Sequence, residues 1–262
     1  MNLVVAIAAA PIAFLTIAGL LHWPRALTRF GADPRPDRWH TSPTPAFGGI
    51  GIFAGFVAAV AAATALGPVG IPGELFAVIA GGAIVFGFGL LDDIVQLHPA
   101  AKLGAQLAAA IVIMQSSISV EFVSNSALGW ALGIVWLVGL TNAFNLLDNM
   151  DGLAGSLGIV AASCFALSAA FVAPNRDIFI VAMSLALALV GFIPYNLRLS
   201  GPARVFMGDS GSQLIGLVLA TLGLMASYKE AGTTIATLAL PVLILAVPIL
   251  DTTLVTALRL RS

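Results

Sequence analysis

The sequence has few charged residues: Asp, Glu, Lys and Arg make up 9% of its 262 positions. Soluble domains carry about a quarter, so the deficit excludes an ordinary soluble fold. The formal net charge of −1 does not indicate a nucleic-acid partner. The single cysteine, Cys164, excludes an intrachain disulfide, and no Cys/His cluster has the spacing of a zinc site. What remains is a chain that is 60% hydrophobic, which indicates a membrane protein.

Long apolar stretches predict an all-α, polytopic transmembrane helical bundle. They lack the alternation of polar and apolar residues that is typical of porin-like barrels. The first stretch has no basic segment before it, so we interpret it as a retained helix rather than a signal peptide. We expect residues 1–262 to form a single integral-membrane domain. The expected spans are about nine: 2–21, 47–66, 75–91, 103–117, 127–147, 153–173, 178–197, 211–228 and 234–257.

Basic residues are unevenly distributed between the loops, which predicts the orientation of the bundle. With an extracytoplasmic N-terminus, only Arg176 and Lys229 among the 11 basic residues fall on the extracytoplasmic side. The cytoplasmic ends of the spans then carry a set of carboxylates: Asp92, Asp93, Asp148, Asp151 and Asp209. A cation-coupled transporter holds its charges near the midplane, where this sequence has almost none, so we rank that function last.

The segment "GLLDDIVQLHPAAKLGAQ" places Asp92 and Asp93 at the end of an apolar stretch, shortly before Lys102. Neighbouring carboxylates repel each other unless a cation lies between them. A solvated helix end with a snorkelling lysine explains this segment better when it is taken alone.

The segment "NAFNLLDNMDGLAGS" gives a stronger signal. Asn145 and Asp148, and then Asp148 and Asp151, are three residues apart, so each pair shares a helical face. A helix cap needs one such residue, whereas this stretch has five amides and carboxylates. We therefore favour a binding site over a simple capped end.

The segment "RVFMGDSGSQ" places Asp209 between Gly208 and Gly211 at the start of a predicted helix. Backbone amides at a helix start suit a phosphate, and Asp209 suits a metal. An ordinary N-cap turn explains the same residues equally well. Phe206 is either a core aromatic or a stacking platform for a base, and its spacing does not separate the two.

The basic loop "RWHTSPTPAFGGIGIF" contains Arg38 and His40, either of which suits a phosphate. We favour the simpler interpretation, that these residues keep the loop on the cytoplasmic side.

Carboxylates that converge on one membrane face destabilise a protein unless they are paired. An oxygen-preferring cation resolves the conflict, and Mg²⁺, or Mn²⁺ in its place, is the natural candidate. Mg²⁺ with carboxylates and nearby basic residues is typical of phosphoryl transfer. The site would meet both lipid and cytoplasm, so we expect one membrane phosphate substrate and one water-soluble substrate.

In their order along the chain, "LLDD", "NAFNLLDNMDGLAGS" and "VFMGDSGS" resemble the motifs of the polyprenyl-phosphate N-acetylhexosamine-1-phosphate transferases. The segments "HTSPTPAFGGIGIF" and "PILDTT" are similar to the N-acetylglucosamine-1-phosphate branch more than to the phospho-MurNAc-pentapeptide branch. The resemblance runs from about Arg38 to Arg261. It implies a bacterial inner-membrane enzyme that transfers GlcNAc-1-phosphate from a UDP-sugar to undecaprenyl phosphate, releases UMP and begins cell-envelope polysaccharide synthesis.

The resemblance also implies roles for single residues. Asp92, Asp93 and Lys102 match catalytic positions, with one of the two aspartates a candidate base for the lipid phosphate. Asp209 matches the Mg²⁺ ligand, and we take Asp148 as a second metal ligand. The remaining predicted substrate-binding positions are Asn145, Asp148, Asn149, Asp151, Phe206, Arg38 and His40.

Two features depart from the family pattern. Asn149 stands where a glycine is common, which predicts a changed nucleotide turn. Family members usually continue into a histidine-rich loop and further helices, whereas this sequence ends at Ser262. The expected alternative is therefore a catalytically silent relative that binds polyprenyl phosphate or a nucleotide sugar. The resemblance also implies a homodimer.

Overall fold

A computed structural model gives the fold of this chain. It describes residues 6–32, 44–66, 72–116, 118, 126–198, 200–228, 241–242 and 244–259. The helices of this part of the chain are α1 (Ala9–Leu21), α2 (Pro24–Arg29), α3 (Gly48–Ala65), α4 (Gly73–Val95), α5 (Pro99–Met114), α6 (Ser126–Leu147), α7 (Leu153–Leu167), α8 (Arg176–Asn196), α9 (Gly208–Tyr228) and α10 (Ala246–Arg259).

The predicted helical membrane fold is confirmed, although its nine spans are confirmed only in part. Six helices of the described residues are long and apolar enough to cross a membrane: α3, α4, α6, α7 with the π-helical turn Ser168–Val172 that extends it, α8 and α9. The predicted spans 2–21 and 103–117 correspond to the shorter apolar helices α1 and α5. For 234–257 the structure describes mainly α10, because residues 229–240 and 243 lie outside the described part.

Two helix ends differ from the prediction, and both differences affect the site. α4 continues to Val95, so Asp92 and Asp93 lie inside its last turn rather than after it. α9 begins at Gly208 rather than at residue 211, which places Asp209 in its first turn. The length of the apolar stretches predicts where these helices lie. Hydropathy cannot predict that a helix continues through polar residues, because the partners of those residues are set by the folded protein.

The helix α9 lies at the centre of the bundle, where 89% of its most apolar stretch is buried. It packs most extensively against α4 and α6, and also against α3 and α8. Small residues permit this close approach: a Cβ on Gly89 of α4 would lie 2.7 Å from the Ser210 backbone nitrogen. α4 and α9 are therefore in contact at the end of the bundle where Asp93 and Asp209 lie.

A short antiparallel pair, β1 (Gly31–Ala32) with β2 (Thr44–Pro45), was not predicted. Just after β2, the amide of Gly48 donates to the Phe206 carbonyl over 2.9 Å. The amide of Gly49 donates to the Met207 carbonyl over the same distance. These bonds attach the start of α3 to the segment that leads into α9.

Candidate active site

Lys102 joins two carboxylates that come from different helices. Its ammonium donates to Asp92 Oδ2 over 2.9 Å and also to Asp209 Oδ2. The backbone amide of Leu97 donates to Asp92 Oδ1 over 2.6 Å and fixes the other side of that carboxylate. The ends of α4, α5 and α9 thus meet in a charged group of side chains, the carboxylate cluster (Asp92, Asp93, Lys102 and Asp209).

Asp93 faces backbone rather than a cation. Its Oδ1 accepts from the Asp209 amide over 2.7 Å, and its Oδ2 accepts from the Ser210 amide over 3.1 Å. These donors belong to the first turn of α9, which has no preceding carbonyls to bond. Gly208 has a φ of +77°, and a Cβ there would lie 2.6 Å from Asp93 Oδ2, so the contact requires a glycine.

The two adjacent aspartates therefore have different surroundings, which the sequence did not reveal. The expected helix-end amides of α9 are present, but those of Asp209 and Ser210 already bind Asp93 instead of meeting a phosphate directly. The solvated-end interpretation is wrong for Lys102, because its ammonium bridges Asp92 and Asp209.

The surroundings of Lys102 also affect its protonation. Lys102 lies in the first turn of α5, outside the six long spans. Burial alone would lower its pKa, but hydrogen bonds and charges from Asp209 and Asp92 outweigh that effect. The pKa of Lys102 is therefore raised above its usual value, and the residue carries a positive charge at neutral pH.

The polar end of α6 reaches the same region. Asn145 Nδ2 donates to the Ser212 hydroxyl over 3.0 Å, and that hydroxyl donates to the Gly208 carbonyl over 3.1 Å. Beyond the helix end Asp148 is half-buried and Asn149 is exposed. Among the described non-glycine residues only Gln96 has a positive φ, so Asn149 adopts a backbone that needs no glycine.

A second group of contacts, the Asn196 corner (Asp151, Gly152, Asn196 and residues 203–206), joins α6–α7 to the segment before α9. Asn196 Oδ1 accepts from the Gly152 amide over 2.7 Å, while Asn196 Nδ2 donates to the Val205 carbonyl over 3.1 Å. Asp151 Oδ2 accepts from the Ala203 amide over 3.1 Å. Each of these three bonds joins a side chain to a backbone group.

Phe206 belongs to the Asn196 corner and is 9% exposed. It packs with Ala46 and Ala203 in a small cluster separate from the main core. Its amide donates to the Pro45 carbonyl over 2.8 Å, which fixes its position. The burial of Phe206 agrees with a core aromatic, and its separation from the main core agrees with a stacking platform for a base.

The predicted phosphate contacts Arg38 and His40 lie outside the described residues. The sequence reasoning in turn missed three carboxamides that the structure places near the site: Gln106, Asn196 and Gln213. Each is at most 3% exposed. A polar residue at the end of an apolar stretch was the only available signal for Asn196, and Gln106 and Gln213 each lie four positions after a charged site residue.

A magnesium site can be assessed from the donors present. Within the described ranges no three His, Cys, Asp or Glu side chains group closely enough to hold a metal by themselves. Mg²⁺ usually takes only one or two carboxylates and completes its shell with water and substrate phosphates. Asp209 fits that requirement, because its side chain is 28% exposed. Lys102 bridges it to a second carboxylate, that of Asp92.

The chain is similar to known proteins over most of its length. The model of glycosyl transferase family 4 matches residues 75–227, more than half of the chain. A probable undecaprenyl-phosphate N-acetylglucosaminyl 1-phosphate transferase of Bacillus subtilis is 35% identical over 244 residues, which cover 87% of this chain and 64% of that protein. The decaprenyl-phosphate N-acetylglucosaminephosphotransferase of Mycobacterium leprae is 31% identical, covering 88% of this chain and 65% of the relative.

A phospho-N-acetylmuramoyl-pentapeptide-transferase of Staphylococcus aureus is 41% identical, but over only 96 residues, 37% of this chain and 29% of that protein. The similarity to the N-acetylglucosamine branch thus extends over far more of the sequence. The chain spans about 64% of the length of the Bacillus relative.

Proposed function

This chain belongs to glycosyl transferase family 4, and from that premise we propose that it is a polyprenyl-phosphate N-acetylglucosamine-1-phosphate transferase. An oxygen of the lipid phosphate attacks the phosphorus that carries the sugar in UDP-GlcNAc. The bond between that phosphorus and the bridging oxygen breaks, and UMP leaves with the bridging oxygen. The products are a lipid-linked GlcNAc diphosphate and UMP.

The carboxylate cluster is the observation that carries this proposal. Both substrates are anions, and they meet only where positive charge offsets their repulsion. Lys102 supplies one positive charge at the end of the bundle. Asp209, with Asp148 as a second ligand, would hold Mg²⁺, which offsets the charge of the diphosphate. Asp92 is placed to orient Lys102.

The Asn196 corner supports a role in holding the uridine. It orders the segment 203–206 against Asp151 and Gly152. Phe206 would present its ring to the uracil, with Asn145 and Asn149 as polar contacts nearby. Arg38 and His40, on the basic loop, would meet a substrate phosphate.

The arrangement of basic residues supports a cytoplasmic site. Lys102, Arg198 and Arg204 lie at the end of the bundle that holds the cluster and the corner. Arg176 lies at the opposite end, where its guanidinium donates to the Ala63 carbonyl near the end of α3. Together with the positive-inside bias, this arrangement supports a site on the cytoplasmic face of the bacterial plasma membrane. We also propose a homodimer, as the family resemblance implies.

The test is an assay with radiolabelled UDP-GlcNAc, undecaprenyl phosphate and membranes containing this chain. We expect an organic-soluble radiolabelled lipid together with UMP, and we expect both products to disappear when Mg²⁺ is removed by a chelator. Binding of the nucleotide sugar without any product would instead support the catalytically silent relative. The absence of both binding and product would contradict the proposal.

A further inference from the structure

Three carboxamides lie directly behind the carboxylate cluster, on three different helices, and two of them are almost fully buried. Gln106 of α5 and Gln213 of α9 are 2% and 1% exposed. Gln106 Nε2 donates to Gln213 Oε1 over 3.1 Å. Gln106 and Asn142 of α6 form a reciprocal amide pair, with 2.7 Å from Asn142 Nδ2 to Gln106 Oε1 and 3.3 Å for the return bond.

The spacing of these residues repeats the spacing of the charged ones. Gln106 follows Lys102 by four positions, and Gln213 follows Asp209 by four positions. Residues four apart share a helical face, about 6 Å apart along the axis. α5 and α9 are therefore joined twice on the same faces: by Lys102–Asp209 at the end of the bundle, and by Gln106–Gln213 one turn deeper.

Stability alone is a poor explanation for Gln213. Its Nε2 has no hydrogen-bond partner among the described residues, although the side chain is almost fully buried. A buried donor without a partner is costly, and an apolar residue of the same length would avoid that cost. What Gln213 does provide is an acceptor that fixes Gln106.

We propose that Gln106 and Gln213 are positioning residues that set the register of α5 against α9 and so hold Lys102 between Asp92 and Asp209. Asn142 anchors the pair to α6, since its Nδ2 also donates to the Val138 carbonyl over 2.9 Å. A rotation or slide of α5 that broke the deeper contact would also move Lys102 away from Asp209. The effect on turnover rests on the proposed transferase function, whereas the effect on Lys102 does not.

The sharpest test variant is Gln213→Met, because methionine has nearly the same length and shape. Gln106 keeps its reciprocal pair with Asn142, so little is left unpaired and thermal stability should hold or rise. The readout is the rate at which an amine-acylating reagent modifies Lys102, measured by peptide mass spectrometry with no substrate present. The sequence has only one other lysine, Lys229, which serves as the internal reference.

We expect Lys102 to be acylated about fivefold faster in Gln213→Met. Without the Gln106–Gln213 hydrogen bond, α5 is held less firmly against α9, and Lys102 is held less firmly with it. The double variant Gln106→Met/Gln213→Met should show the same increase, and it removes both partners of the contact. The matched control is Trp136→Phe, which removes a 2.9 Å bond from Trp136 Nε1 to the Ala220 carbonyl. That bond joins α6 to α9, about 16 Å from Asp209 along the helix.

Trp136→Phe should lower the melting temperature in detergent while leaving Lys102 acylation and kcat unchanged. Gln213→Met should keep the melting temperature and lower kcat by about fivefold, with KM for the nucleotide sugar unchanged. Equal Lys102 acylation in Gln213→Met and wild type would overturn the positioning role, and so would faster acylation with an unchanged kcat. If wild type forms no lipid product, the transferase proposal fails, and the acylation rates still decide the role of Gln213.

Discussion

The carboxylate cluster and the Asn196 corner are built by opposite means. In the cluster, Lys102 joins charged side chains from separate helices. In the corner, the side chains of Asn196 and Asp151 hold two backbone amides and a carbonyl. The cluster therefore joins side chain to side chain, whereas the corner joins side chain to backbone. We expect the first to govern the rate of transfer and the second to govern nucleotide binding.

Asp92 and Asp93 show the same division within two adjacent residues. Asp92 holds Lys102, so it belongs to the charged part of the cluster. Asp93 holds the first turn of α9 through two backbone amides, so it behaves like the residues of the corner. Neighbours in sequence thus need not share a role, because successive helix positions point in directions about 100° apart.

The largest effect should come from the cluster. Asp209→Asn removes the charge that would hold Mg²⁺ and that pairs with Lys102, and we expect kcat to fall about a thousandfold. The protein should still insert, as judged by its yield in membranes and its melting temperature in detergent. Asp177→Asn in the first turn of α8 is the matched control, since it changes an aspartate outside the site. Near-normal turnover of Asp209→Asn would remove Asp209 from the metal site.

Asp93→Ala should lower stability as well as rate. It leaves the amides of Asp209 and Ser210 without their acceptor, which costs about 1–2 kcal/mol of unfolding free energy. Thermal unfolding in detergent measures that loss. Asp93→Asn retains one accepting oxygen, so it should lose less stability than Asp93→Ala. A catalytic base would behave differently: Asp93→Asn would then lose turnover as completely as Asp93→Ala, although it loses less stability.

Asn196→Ala should change nucleotide binding rather than rate. The segment 203–206 loses its connection to Gly152, so we expect KM for UDP-GlcNAc to rise about tenfold, equivalent to about 1.4 kcal/mol. Asn175→Ala is the control at another helix end, because the Asn175 side chain likewise binds backbone groups: its Oδ1 accepts two backbone amides. It should lower stability and leave KM unchanged. An equal rise of KM in both variants would show that the Asn196 corner affects the site only through stability.

The smallest effect is expected for Asn149→Gly. Asn149 is exposed, and its backbone does not require a positive φ. Restoring the glycine that is common in the family should therefore change KM for UDP-GlcNAc by no more than about twofold. Steady-state kinetics measures this change. A larger change would show that the departure at Asn149 does alter the nucleotide turn.

Much of this architecture could be predicted from apolar length and motif order. Six of the predicted spans agree to within four residues at both ends with the observed helices, namely α3, α4, α6, α8, α9 and α7 with its π-helical turn. The family prediction is confirmed by the match over residues 75–227. The assigned roles of the site residues stay predictions, including those of Arg38 and His40.

The partners of each side chain could not be predicted. Asp92 and Asp93 have the same chemistry and adjacent positions, so only the packing of α4 against α9 decides which of them faces Lys102. Gln106 and Gln213 are 107 positions apart and carry no local signal that they meet. Asn196 likewise contacts Gly152 from 44 positions away.

The sequence by itself determined that this chain is a helical membrane protein of glycosyl transferase family 4, with carboxylates at the ends of several helices. Hydropathy and motif order are properties of the sequence, so they can be determined without knowledge of the fold. Only the tertiary structure decided that Lys102 joins Asp92 to Asp209 and that Asp93 binds backbone amides. It also decided that Gln106 and Gln213 meet one helical turn deeper in the bundle. Those contacts depend on the distance and rotation between packed helices, which glycines such as Gly89 and Gly208 permit and no single segment encodes.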